Sequence, residues 1–130
     1  VEGIHFLPRA PAADVGWKAM MRPLSDFAAM SGLPQFALIT LVVPPTKKVS
    51  WTTNLYRGLH RAASEFDVSI VGGETSATGG PPMISVSVAG VVEKNRWVAR
   101  SGGQAGDELF VTGCLGGSAK GRHLRFRPRI

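Results

Sequence analysis

The sequence predicts an α+β fold: a small mixed or antiparallel sheet with helices on one face. Three observations carry that reading. Apolar residues recur at helical spacing after residue 14 and again after residue 50. Residues 83–92 alternate apolar with small or polar side chains, as a strand with one buried face does. The helical and strand-like stretches interleave, and no linker separates them.

Val1 to Pro11 begins extended and ends in a proline-rich turn. Asp14 is the expected N-cap of a helix whose apolar face is Trp17, Met20, Met21, Leu24, Phe27, Ala28 and Met30. Pro23 predicts a kink or break within it, and Ser31-Gly32 its end. Gln35 to Val43 reads as a buried strand between prolines. Ser50 is the expected cap of a second helix, with Trp51, Leu55, Leu59, Ala62, Ala63 and Phe66 on its apolar face. Val68 to Val71 is a short strand ending at Gly72-Gly73-Glu74-Thr75. The alternating strand follows, and Trp97 to Ala99 is expected to pair back on it as a hairpin. Glu108 to Thr112 is a last short strand, followed by small residues to Gly121.

The 130 residues suit one domain with a real core, and 44% hydrophobic content excludes a disordered tail. No apolar run approaches the roughly 20 residues of a membrane span. The chain starts at Val1 with no leader pattern, which reads as no secretory signal, and without a Met, which reads as a start other than the native one. A single cysteine, Cys114, excludes an internal disulfide and suits a reducing, cytoplasmic setting. The net charge of +6 is concentrated at the end, where Arg122, Arg125, Arg127 and Arg129 fall in the last nine residues. The domain is therefore read as residues 1–121 and the basic tail, 122–130, as irregular. Such a tail can hold nucleic acid, but only Phe126 interleaves with its charges, so a solvated end is the preferred reading.

Five segments are candidates for chemistry. After a strand, Gly73 lets backbone approach a phosphate, and Glu74 can hold Mg²⁺, a hard ion that takes oxygen ligands and shares substrate phosphates. A plain tight turn is the alternative, and no Gly-Lys-Ser/Thr follows to make a Walker loop. Asp26 stands between Leu24 and Phe27, either as a metal ligand or on the helix's solvent side. His5, in an apolar segment, is a structural histidine or a donor to an anionic substrate. Arg100 precedes a glycine-rich loop and either forks onto phosphate oxygens or is simply exposed. Tyr56 stacks on a base or bounds the core. No Ser/His/acid triad and no metal-ligand spacing of histidines or cysteine is present.

The order of these segments is more informative than any one of them. Val1-Glu2-Gly3-Ile4-His5-Phe6, Lys18-Ala19, Leu24-Ser25-Asp26-Phe27-Ala28-Ala29-Met30, Tyr56-Arg57-Gly58-Leu59, Val71-Gly72-Gly73-Glu74-Thr75, Arg100-Ser101-Gly102 and Val111-Thr112-Gly113 occur in series. The series resembles the thiamine-monophosphate kinases, within the aminoimidazole ribonucleotide synthetase superfamily. It runs from residue 1 to about residue 121.

The resemblance implies transfer of the γ-phosphoryl group of ATP to thiamine monophosphate, and a homodimer formed through the sheet. By motif match, Asp26 and Glu74 take Mg²⁺-ligand positions, Tyr56, Gly73, Glu74 and Arg100 ATP-contacting positions, and His5 a position near the phosphate substrate. The reading requires Asp26 and Glu74 to converge on one nucleotide-borne metal. It also implies an inactive fragment, since the family's aspartates just upstream and its C-terminal domain fall outside this sequence. Departures are Glu74 for Asp, Arg22-Pro23 for a small or apolar residue and Asn, and Gly117 for Asp. The alternatives are another ATP-dependent member of the superfamily (aminoimidazole ribonucleotide synthetase, selenophosphate synthetase or hydrogenase-maturation type) or a non-catalytic dimerising remnant.

Overall fold

The computed structural model describes residues 1–110. The chain divides into two units, Val1–Ala99 and Arg100–Ile130. Within the first, the order is α1 (Ala12–Ala29), β1 (Leu33–Val43), α2 (Val49–Glu65), β2 (Ser69–Ala77) and β3 (Met83–Val91).

The three strands form one mixed sheet in the order β2-β1-β3. β1 runs parallel to β2, with α2 as the crossover between them, and antiparallel to β3. Both helices lie on one face. α1 packs on α2, β3 and β1, whereas α2 also reaches β2. The core is the space between these layers, filled by Met20, Leu24, Ile39, Leu41, Leu55 and Leu59. Two glycines set how closely the helices cross. A Cβ on Gly58 would stand 1.8 Å from the Ala13 carbonyl oxygen, and one on Gly16 2.0 Å from that of Leu55.

The predicted fold class is the observed one, with local differences. α1 starts two residues before Asp14, which lies in its first turn, and α2 starts at Val49, one residue before Ser50. Pro23 neither breaks nor ends α1. Its missing N–H removes one helical hydrogen bond, to the Ala19 carbonyl. Burial of Met20 and Leu24 on either side holds the helix through that gap. β1 is buried on one face only: Ala37, Ile39 and Leu41 point into the core, while Phe36 and Leu38 remain half exposed. Its continuous apolar run therefore reflects an uncovered apolar face rather than two-sided burial within the chain.

Residues 97–99 do not form the expected hairpin strand; the Val98 N–H donates instead to the Met30 carbonyl. In the second unit, residues 100–110 carry no helix or strand, so the predicted last strand is absent over Glu108–Phe110. Readings that fall on residues 111–130, including Cys114, Gly117, the arginine tail and the boundary after 121, lie outside the described residues.

Candidate functional site

Among the described residues of the first unit, cavities open at opposite edges of the sheet. The first lies along β2, where about 380 Å³ is lined by Tyr56, His60 and residues 70–75. A bulge shapes it. The register to β1 slips between Ala37 and Leu38, so that these consecutive residues face Ile70 and Gly72 and leave Val71 as the extra residue. Gly72-Gly73-Glu74-Thr75 is thus not a turn after the strand but the bulged middle of β2. Gly73 has φ +149°, and a Cβ there would lie 1.8 Å from the Ile39 carbonyl oxygen, so only glycine fits.

The next residue, Glu74, pairs with Thr40 and projects on the sheet face away from the helices. Its carboxylate is exposed and accepts a 2.8 Å hydrogen bond from the Ser76 hydroxyl. Across the cavity, α2 presents Tyr56 and, one turn later, His60, with ring centroids 6.4 Å apart.

The second cavity, about 370 Å³, lies between α1, β3 and the N-terminal turn. Phe6, Val15, Ile84 and Val86 supply apolar wall, while His5, Lys18 and Arg22 bring basic groups. The turn is anchored to the rest of the unit. Glu2 pairs with Lys47 at 2.6 Å, Phe6 stacks on Trp51, and the Glu2 N–H donates to the Pro82 carbonyl. His5 sits in this turn, exposed, rather than in a strand. Lys18 Nζ donates to the His5 carbonyl at 2.6 Å. The Val1 ammonium group first, then slight burial, then Arg22 and Lys18 hold the His5 imidazole below its ordinary pKa.

The structure therefore brings together Tyr56, Gly73 and Glu74, and places His5 at the other edge. Asp26 is exposed on α1 and lines neither cavity. α1 does not reach β2, so the expected convergence of Asp26 and Glu74 does not occur within one chain. Arg100 is exposed and begins the second unit. Sequence reasoning missed His60, and it marked Lys18 only as part of a motif and Arg22 only as a departure, without placing either at a cavity. The signal was there, because His60 is four residues after Tyr56 and Arg22 four after Lys18, spacings that stack side chains on one helix face.

Among the described residues no group of three or more His, Cys, Asp or Glu side chains could hold a metal ion. Mg²⁺ does not require such a cage. It is commonly held by one or two carboxylates plus substrate phosphates, and exposed Glu74 and Asp26 each fit as a single oxygen donor.

A mixed sheet backed by two helices on one face, with ligand-sized cavities at both edges, defines an α+β half-domain whose other face is open. Residues 1–92 match the family described as AIR synthase related protein, N-terminal domain, and the chain belongs to that family. The thiamine-monophosphate kinase of Rhodopirellula baltica is 42% identical over 131 residues, a match that takes in 100% of this chain and 41% of the relative. The crystal structure of thiamine monophosphate kinase from Aquifex aeolicus superposes with a TM-score of 0.73 at 37% identity, covering 78% of this chain and 34% of that one. The structure of AaThiL complexed with AMPPCP and TMP gives a TM-score of 0.72 at 38% identity, covering 78% of this chain and 32% of the other. The chain thus spans about two fifths of the length of this curated relative.

Proposed function

We propose that this chain is the nucleotide-binding part of a thiamine-monophosphate kinase, which transfers the γ-phosphoryl group of ATP to thiamine monophosphate. The observation that carries the reading is the meeting of Tyr56, Gly73 and Glu74 at one cavity. The relatives' activity and the AaThiL complex with a nucleotide analogue support it.

Phosphoryl transfer asks little covalent chemistry of a protein; it asks for positioning and for neutralised charge. Tyr56 supplies a ring for the base or ribose, the backbone of Gly73 borders the phosphates at the strand edge, and Glu74 limits where a metal-bound triphosphate can sit. Mg²⁺ held by Glu74 together with the phosphates would supply charge neutralisation there, and Asp26, away from this cavity in the same chain, would hold a metal only at a separate place. On this reading His5 serves the acceptor phosphate, as its motif implies. The open apolar face around Phe36 and Leu38 suits a homodimer formed through the sheet. The reading puts the enzyme in the cytoplasm, and turnover requires the remainder of the kinase.

Isothermal titration with a non-hydrolysable ATP analogue tests the reading. Binding is expected to depend on Mg²⁺, and Tyr56→Ala to weaken it about three- to tenfold. No heat at millimolar analogue with Mg²⁺ overturns it.

The separation of Asp26 from Glu74 favours a second reading, a dimerising remnant without catalysis. A stable dimer that ignores nucleotide supports that reading.

A further inference from the structure

Glu74 is a long, exposed side chain on an edge strand, and such a side chain loses rotamer freedom when it takes up a ligand. One neighbour already restrains it. Ser76 stands two residues further along β2, so it shares with Glu74 the sheet face away from the helices. Its hydroxyl donates to Glu74 Oε1 at 2.8 Å. Ser76 is half-buried and pairs with Val42 on β1, which limits where that hydroxyl can go. Thr40, the partner of Glu74 on β1, makes no hydrogen bond to the carboxylate among the described residues. Among those residues no hydrogen bond or ion pair reaches Oε2 either. The carboxylate is thus divided. One oxygen is engaged by the protein, and the other is open on a residue that lines the cavity with Gly72 and Gly73.

We infer that Ser76 is a positioning residue that selects the ion: by engaging Glu74 Oε1 it leaves Oε2 as a single-oxygen donor, which favours Mg²⁺ over Ca²⁺ beside bound phosphates. Mg²⁺ demands a tight octahedron and is held by one or two carboxylates together with phosphates and water. Ca²⁺ takes about six to eight oxygens in a looser shell and readily spans both oxygens of one carboxylate. A carboxylate with Oε1 already engaged serves the first ion and hinders the second. The hydrogen bond also restricts the rotamers of Glu74 before any ion arrives, so less freedom is lost on binding. The inference deepens the proposed kinase reading and rests on it for a nucleotide-borne metal at this cavity. The pairing of Ser76 with Glu74 does not depend on that reading.

The 130-residue chain is titrated calorimetrically with AMPPCP and with inorganic tripolyphosphate, each in Mg²⁺ and in Ca²⁺. Ser76→Ala and Ser76→Thr are compared with the parent. Ser76 is only half-buried and its strand pairing is through the backbone, so both variants keep the fold, and circular dichroism checks this. The expected result is that Ser76→Ala weakens Mg²⁺-supported binding about tenfold and changes Ca²⁺-supported binding by less than about twofold. Ser76→Thr, which keeps the hydroxyl, restores the preference for Mg²⁺. A merely structural loss would weaken binding equally in both ions. If tripolyphosphate shows this ion-dependent loss and AMPPCP does not bind, the role of Ser76 is upheld and the kinase reading is not. The inference alone is overturned if AMPPCP binds the parent but Ser76→Ala leaves Mg²⁺-supported affinity unchanged, if both ions lose equally, or if threonine is as weak as alanine. Failure of the parent to bind either ligand overturns both.

Discussion

Single residues decide what each sheet edge can hold. At Gly73 the constraint is steric and absolute, because a Cβ would overlap the Ile39 carbonyl. Gly73→Ala is expected to cost about 3 kcal/mol of stability, or to move β2 off β1, read as a lower denaturation midpoint. The pair of glycines was visible in the sequence, but its role was not. A Gly-Gly next to a short apolar run looks like a strand end, and only the pairing with β1 shows that the strand continues through it as a bulge. At the other edge, electrostatics dominate. His5 is depressed below the ordinary imidazole value of about 6.5, with the Val1 ammonium as the largest cause and Arg22 among the lesser ones. Its charged form is disfavoured in the fold, so the neutral form carries the stability. That contribution is lost as pH falls through the ordinary histidine range and is small for so exposed a group. Arg22→Gln should move the His5 titration upward in an NMR pH series; an unchanged titration would show that Arg22 does not face this mouth.

Elements are fixed by what they pack against more than by their own propensities. α1 carries a proline in its interior, yet it persists from Ala12 to Ala29 because Met20 and Leu24 are buried on either side of it. Pro23→Ala restores the missing hydrogen bond and is expected to stabilise the unit by about 1–3 kcal/mol, seen as a raised thermal midpoint. The opposite sign is expected at the helix crossing. Gly58→Ala puts a methyl group into the Ala13 carbonyl and should cost about 3 kcal/mol. The helical periodicities and the alternation of β3 were legible in the sequence, since each element's pattern follows its own buried face. Helix starts were less so, because neither Pro11 nor Lys48, the residues at the N-caps, makes a side-chain cap hydrogen bond. The expected strand at 97–99 failed because Val98 bonds to the end of α1 instead of to β3.

At the scale of the whole molecule, the open sheet face and the spacing of the acids pose one question. Phe36, Leu38, Val71 and Met83 leave an apolar face without cover among the described elements. On the proposed reading a second copy covers it. Leu38→Glu should therefore turn a dimer into a monomer in sedimentation equilibrium, with little loss of fold because Leu38 is already half exposed. The candidate site was legible in part. Tyr56, Gly73 and Glu74 come together as the motifs imply, because α2 crosses over to deliver β2 beside itself. Asp26 does not join them. A sequence order of motifs carries no information about which sheet edge each helix covers, and here α1 covers the edge opposite to β2.

Nucleotide binding at the bulged edge strand is what the proposed kinase function most requires. Amide chemical-shift mapping of the chain with AMPPCP and Mg²⁺ tests it most directly. The predicted result is a contiguous set of perturbed amides over residues 70–75 and around Tyr56 and His60, abolished by Glu74→Gln together with Tyr56→Ala. Perturbations confined to other surfaces, or none at saturating nucleotide, would contradict it.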